Sequence, residues 1–276
     1  MTITINLKGR LGNQLFQYAT LRSLAIKKGY NFYINTSLEW HGQNSLLSYF
    51  NIAESSPLNK IKYFYYQPVN SNYLDTNVFN IEDDTLLDGH FENIEYFEEH
   101  RNIIMNELTI KDEAINNYTD NYIKNITKNE SKLVGTHFRR GDLVQQVSNV
   151  DEYNKQTIEF VKKSLETIIS TNSNLTLLFF TGGMRKEGAH TNWIDNTHDS
   201  DVKWLNEFIS CYKNDFNVYI SPGTIENNEL IDYSLLSKCD YIITPHQSTF
   251  SFMAYYVNTK IIELFSPTNL YGVKSK

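Results

Sequence analysis

Short apolar segments of strand length alternate along this chain with amphipathic segments of helix length, and they do so in two separate runs. A strand followed by a helix and then another strand specifies a parallel sheet covered by its connections. Thr2 to Leu7 reads as a strand, and a K-G-R-L-G turn follows it. Leu15, Tyr18, Ala19, Leu21, Leu24 and Ala25 then mark one face of a helix from about Asn13 to Lys28. Gly29 ends that helix, and Asn31 to Asn35 reads as the next strand.

The stretch from about Glu39 to Asn80 is aromatic and irregular. Thr85 to Asp88 reads as a strand, Ile94 to Leu108 as a helix, and Lys111 to Lys128 as a polar segment with weak helical spacing. Lys128 to Ser131 is the expected junction, because a second series starts at Lys132 to Phe138. Strands at Leu175 to Thr181, Asn217 to Ile220, Tyr241 to Thr244 and Lys260 to Leu264 alternate with helices near 153–170, 202–212, 228–237 and 248–257. Gly182-Gly183 opens a long loop after the second of these strands. The expected fold is α/β, with two Rossmann-like domains, 1–130 and 131–276, facing a cleft.

Composition narrows the function. A length of 276 residues suits two domains. The net charge of −7 argues against nucleic-acid binding, yet permits a local positive site for a phosphorylated small molecule. Cys211 and Cys239 cannot build a disulfide framework and read as reduced, buried thiols. Met1 runs directly into the strand-like Thr2 to Leu7, so no signal peptide is expected, and no apolar run approaches the ~20 residues of a membrane span. The expected location is cytoplasmic, with peripheral membrane contact still compatible.

Chemistry concentrates at Val134 to Asp142, V-G-T-H-F-R-R-G-D. Arg139 and Arg140 close an apolar strand, where a charge is costly unless something anionic meets it. The arginine fork suits phosphate oxygens, so His137, Arg139, Arg140 and Asp142 read as a diphosphate site; the alternative is a surface loop with an Arg–Asp pair. Ser248, Thr249, Phe250 and Ser251 open a helix after a strand, as an anion site or as simple N-caps. Gly9, Gly12, Asn13 and Gln14 form a glycine turn before a helix, either facing a ligand or as a plain turn with Asn13 as N-cap. Asp232 is a carboxylate that could accept from a guanine edge or lie on a helix surface. Asp199-Ser200-Asp201 has the D-x-D form of metal-dependent sugar-nucleotide sites, but its place before a helix favours capping. His190 and His198 lack the neighbours a zinc site needs, and no P-loop is present.

Three stretches carry a resemblance. G-R-L-G-N-Q-L-F-Q-Y-A (Gly9 to Ala19), H-F-R-R-G-D (His137 to Asp142) and D-Y-S-L-L-S-K-C-D-Y-I-I-T (Asp232 to Thr244, followed by S-T-F-S-F) resemble the α-1,2-fucosyltransferases of glycosyltransferase family 11. The chain departs from that family's usual pattern at Ser251-Phe252-Met253, at Gly182-Gly183-Met184-Arg185 and at G-H-F-E-N.

The resemblance implies a GT-B-like architecture and inverting transfer of L-fucose from GDP-β-L-fucose, without a metal or other cofactor. The acceptor would be the 2-hydroxyl of a galactose-containing glycan. By match to the motifs, Arg139 neutralises the diphosphate, Arg140 and Asp142 hold the strand end, and His137 and Asp232 contact guanosine. Ser248 to Ser251 bind phosphate, and Gly9 to Gln14 face the sugar. His90, Glu92 and Asp142 are the candidates for a base. Competing readings are a related transferase with another nucleotide-sugar donor and a catalytically silent module that binds a GDP-sugar or glycan.

Overall fold

The computed structural model describes residues 1–35, 46–68, 73–182, 198–267 and 271–272. They divide into two compact units: Met1–Lys111, to which Tyr271 and Gly272 also belong, and Asp112–Pro267.

The first unit contains β1 (Thr2–Asn6), α1 (Leu11–Lys28), β2 (Asn31–Asn35), β3 (Tyr63–Tyr66), β4 (Thr85–Asp88) and α2 (Arg101–Glu107). Its sheet is parallel, in the order β2-β1-β4-β3. Every residue of the central β1 is buried, as expected for a parallel strand covered on both faces. α1 is buried around most of its girth, including Gln14, Gln17, Thr20 and Ser23. Gln17 meets this cost by acting as a second peptide group: its amide accepts from Lys8 N at 2.8 Å and donates to Lys8 O at 2.8 Å. That pair pins the turn leaving β1. Gly29 ends α1 at φ 64°, in the left-handed region glycine reaches without a Cβ penalty.

The second unit contains α3 (Glu113–Ile126), β5 (Lys132–Arg139), α4 (Asp142–Gln146), α5 (Val150–Thr171), β6 (Leu175–Gly182), α6 (His198–Ile209) and β7 (Asn217–Ile220). α7 (Pro222–Glu226), α8 (Glu229–Leu236), β8 (Tyr241–Ile243), α9 (Thr249–Val257) and β9 (Glu263–Phe265) follow. This sheet is also parallel, in the order β7-β6-β5-β8-β9. The winding reverses between β5 and β8, and open α/β sheets bind ligands beyond the carboxyl ends of strands at such a switch point. Gly135 in β5 is required by close packing: a Cβ there would lie 2.6 Å from Cys239 Sγ and 2.9 Å from Leu236 Cδ1. The core under the arginine-bearing strand is rich in aromatic rings, with Phe138 against Phe179, Trp204 and Phe208.

Several expectations change. The units divide at Lys111/Asp112 and not at 130/131, because α3 packs on α8. Thr119 Oγ1 lies 2.9 Å from Ser234 Oγ there, and Lys238 donates to Asp120 at 2.7 Å. The helix expected over Ile94 to Leu108 is two 3₁₀ turns followed by α2. Arg10, and not Asn13, is the N-cap residue of α1. β3, α4 and α7 had no signal strong enough to place them. Cys211 is exposed; Cys239 is buried, and burial pushes its thiol pKa up. Among the described residues, no helix is long and apolar enough to cross a membrane.

Candidate functional site

The carboxyl ends of β5 and β8 bring together most of the residues singled out in the second unit. His137 is buried, and its Nδ1 lies 2.6 Å from Ser251 Oγ in α9. Its ring is 5.4 Å from that of Phe250. Ser248 is the N-cap of α9 and accepts from Ser251 N at 3.3 Å. The N-terminus of α9, with its positive partial charge, is thereby fixed to the end of β5. Arg139 is partly buried and donates from Nη1 to Gln247 O at 2.9 Å. Its guanidinium is tied to the turn just before α9.

Arg140 is engaged elsewhere. Its Nε donates to Asp201 at 2.8 Å, its Nη1 donates to Asn154 at 2.7 Å, and its guanidinium lies 4.1 Å from the Trp204 ring centroid. The other oxygen of Asp201 accepts from Gly141 N at 3.0 Å. The second carboxylate of the D-x-D triplet therefore braces the end of β5 from the first turn of α6. The side chains of Asp142 and His198, and residues Gly183 to Arg185 and His190, lie outside the described residues.

Asp232 is buried in α8. One carboxylate oxygen accepts from Ser221 and the other from Thr224 at 2.9 Å. Thr224 is itself joined to Thr181 at the end of β6. Gly223 permits this approach, since a Cβ there would sit 2.5 Å from Asp232 Oδ1 and 2.6 Å from Asn228 O. Asp232 thus organises the turn after β7, with both oxygens already accepting hydroxyls.

His246 precedes Gln247 and stacks on Tyr153 of α5, with ring centroids 4.3 Å apart at 13°. Its Nε2 lies 2.5 Å from Thr157 Oγ1. Burial first, then the charges of Arg139 and Arg140, push its pKa down to about 4. Between that value and the ordinary ~6.5, the unfolded chain binds a proton that the folded chain does not. Stability should therefore fall as the pH drops through this window, by at most roughly 2 kcal/mol after allowance for solvent access. Urea midpoints measured from pH 7 to pH 4 should decline more steeply for the native chain than for His246→Gln; parallel curves would refute the assignment.

In the first unit, Gly9 (φ +69°), Gly12, Asn13 and Gln14 form the turn after β1 and the first turn of α1. Gln14 donates to Gly9 O at 3.1 Å. Asn13 Nδ2 lies 3.3 Å from His90 Nδ1, and His90 lies 3.9 Å from the Glu92 carboxylate. Lys8 pairs with Asp88 at the end of β4. The glycine turn and the G-H-F-E-N segment thus form one polar cluster at the carboxyl ends of β1 and β4.

Residues 1–271 match the family model described as glycosyl transferase family 11. The chain belongs to glycosyltransferase family 11. It is 26% identical over 254 residues to galactoside α-(1,2)-fucosyltransferase 2 of Rattus norvegicus, covering 87% of this chain and 62% of that protein. Against the same-named protein of Oryctolagus cuniculus it is 23% identical over 262 residues, covering 92% and 66%. The chain thus spans somewhat less than two thirds of the length of these relatives.

Among solved structures, NodZ α-1,6-fucosyltransferase soaked with GDP-fucose matches with a TM-score of 0.55 at 15% identity, over 93% of this chain and 92% of that one. NodZ from Bradyrhizobium matches with a TM-score of 0.57 at 14% identity, over 92% of each chain. POFUT1 in complex with GDP matches with a TM-score of 0.55 at 10% identity, over 96% of each. These likenesses support the fold alone, and the family 11 chain has the α/β, GT-B class of fold that was expected.

Tyr153, Asn154, Thr157, Asp201 and His246 surround the family 11 arginine motif without having been singled out for it. Tyr153, Asn154 and Thr157 follow the usual spacing of a surface helix, and only the packing of α5 on the strand ends shows their roles. Asp201 carried a signal, the D-x-D form, which was read as favouring helix capping and not as a partner for arginine. Pro245-His246 lay in view between a strand and the start of a helix, where a histidine alone specifies nothing.

Proposed function

We propose that this chain transfers L-fucose from GDP-β-L-fucose to the 2-hydroxyl of a galactose-type acceptor in a glycan, with inversion and without a metal. The observation that carries this reading is Arg139, tied to Gln247 O at 2.9 Å beside the N-terminus of α9. In an inverting transfer the acceptor oxygen attacks the anomeric carbon opposite the nucleotide. The bond to the β-phosphate oxygen breaks, and its electron pair leaves on GDP. Charge developing there needs fixed donors. Arg139 and the α9 terminus are proposed as such donors; Arg140 is held by Asp201.

Metal independence is supported by the same pair, because a carboxylate that accepts from Arg140 and Gly141 is poorly placed to serve a cation as well. In this reading His137 and Phe250 contact the nucleoside. Asp232 shapes the base pocket through Ser221 and Thr224. The second unit takes the donor, and the first takes the acceptor-side role. The His90–Glu92 pair is our choice for receiving the acceptor proton, since a carboxylate near an imidazole orients it for proton transfer.

The test is GDP release from GDP-fucose in EDTA across a panel of galactosyl acceptors, with product linkage read by NMR. Acceptor-stimulated release with a new linkage at the galactose 2-hydroxyl is the expected result. Absence of GDP binding would overturn the site. Release that needs added manganese would overturn metal independence, and another linkage would overturn the acceptor assignment.

A further inference from the structure

The ladder between β5 and β8 ends at Thr136 and Ile243, whereas β5 continues to Arg139. The described β5–β8 register thus stops three residues before the end of β5. α5 supplies a bracket there. Tyr153 donates from its hydroxyl to Arg139 O at 2.6 Å. The same ring stacks on His246 at 4.3 Å. His246 O accepts from Thr244 Oγ1 at 3.0 Å, and the next carbonyl, Gln247 O, accepts from the Arg139 guanidinium at 2.9 Å. One tyrosine thus holds the backbone of Arg139 and the turn that receives its side chain.

The hydrogen bonding also fixes the imidazole. Thr157 Oγ1 donates to Tyr153 O at 2.7 Å. A hydroxyl has one proton, so toward His246 Nε2 it must accept, which puts the imidazole proton on Nε2. The ring is held on one edge by Thr157 and on one face by Tyr153. A long arginine side chain loses rotamer entropy when it is ordered, and a fixed receiving carbonyl lowers what is lost when an anion binds.

We propose that Tyr153 and His246 are positioning residues for Arg139, setting its guanidinium against the α9 N-terminus before a diphosphate arrives. This inference rests on the reading of the site as a GDP-sugar site. Its signature is dependence on Arg139. Residues that act through one another give non-additive effects, whereas a general contribution to folding adds.

The experiment is calorimetric titration of GDP into the native chain, Tyr153→Phe, His246→Gln and Arg139→Ala, and into each of the first two combined with Arg139→Ala. Tyr153→Phe keeps the stacked ring and loses only the hydroxyl, and a melting curve for every variant shows whether it is folded. Tyr153→Phe and His246→Gln should each weaken GDP binding about fivefold to tenfold, the usual scale for one lost hydrogen bond. In the Arg139→Ala background each should change it less than twofold. Equal losses in both backgrounds, or no loss in either, would overturn the positioning role while leaving the donor site intact. If the native chain does not bind GDP, or Arg139→Ala alone binds as well as native, the functional reading fails and the positioning role fails with it.

Discussion

Replacing Arg139 by alanine should lower fucosyl transfer about a thousandfold and leave the melting temperature within about 2 °C of the native value. The two halves of this expectation come from different observations. Arg139 is partly buried, and its side chain bonds to one backbone carbonyl that sits in an exposed turn. Losing that bond from a partly exposed side chain carries a small stability cost. The transfer cost is large in the proposed reaction, where a metal-free departure of GDP would have few donors to meet the charge on the leaving phosphate. Loss of one preorganised donor to a developing anion costs roughly a hundredfold to a thousandfold, and this donor is also a full charge. Arg139→Lys should recover only part of the rate, since an ammonium keeps the charge but loses the planar fork. The measurement is initial-rate transfer at saturating donor, beside a melting curve for each variant. A folded Arg139→Ala protein with native turnover would remove Arg139 from the mechanism.

The elements readable in the sequence were those whose pattern is set locally. β1, α1 and β2 follow from an apolar run, a helical stripe and Gly29, and β5 to β8 from repeated strand and helix spacing. β3 was not legible because Tyr63, Phe64 and Tyr66 are exposed aromatics on an edge strand, without the in–out alternation that marks a half-buried one. α3 was assigned to the wrong side of the junction because its helical spacing shows a helix but not the surface it packs on. The same distinction runs through the site. The arginine motif, the α9 start and the glycine turn are short contiguous signals. Asp201 and His246 lie far along the chain from Arg139 and Arg140, and only the sheet order brings them to β5. The D-x-D triplet shows the hazard most clearly: two carboxylates in sequence do not reveal which cation the fold delivers to them.

Asp201→Ala should therefore be a stability variant first, costing about 3 to 5 kcal/mol. The side chains of Arg140 and Asp201 are 8% and 4% exposed, so the pair is withdrawn from water. Removing the carboxylate leaves a buried guanidinium with Asn154 and the Trp204 face, neither of which carries a negative charge. It also strips the Gly141 amide of its acceptor. In a unit of this size the loss should lower the melting temperature by roughly 10 °C. Asp201→Asn should cost less, because its amide oxygen still accepts one of the two bonds. Exchanging both partners for apolar residues, Arg140→Met with Asp201→Leu, should be milder than Asp201→Ala alone, since no charge is then left unpaired. A metal-binding Asp201 predicts the opposite pattern: removing one carboxylate from a cation site relieves repulsion in the apo protein, and the defect appears as a lost response to manganese. Melting curves with EDTA and with manganese separate the two. A native melting temperature for Asp201→Ala in EDTA would mean that the carboxylate serves something other than Arg140.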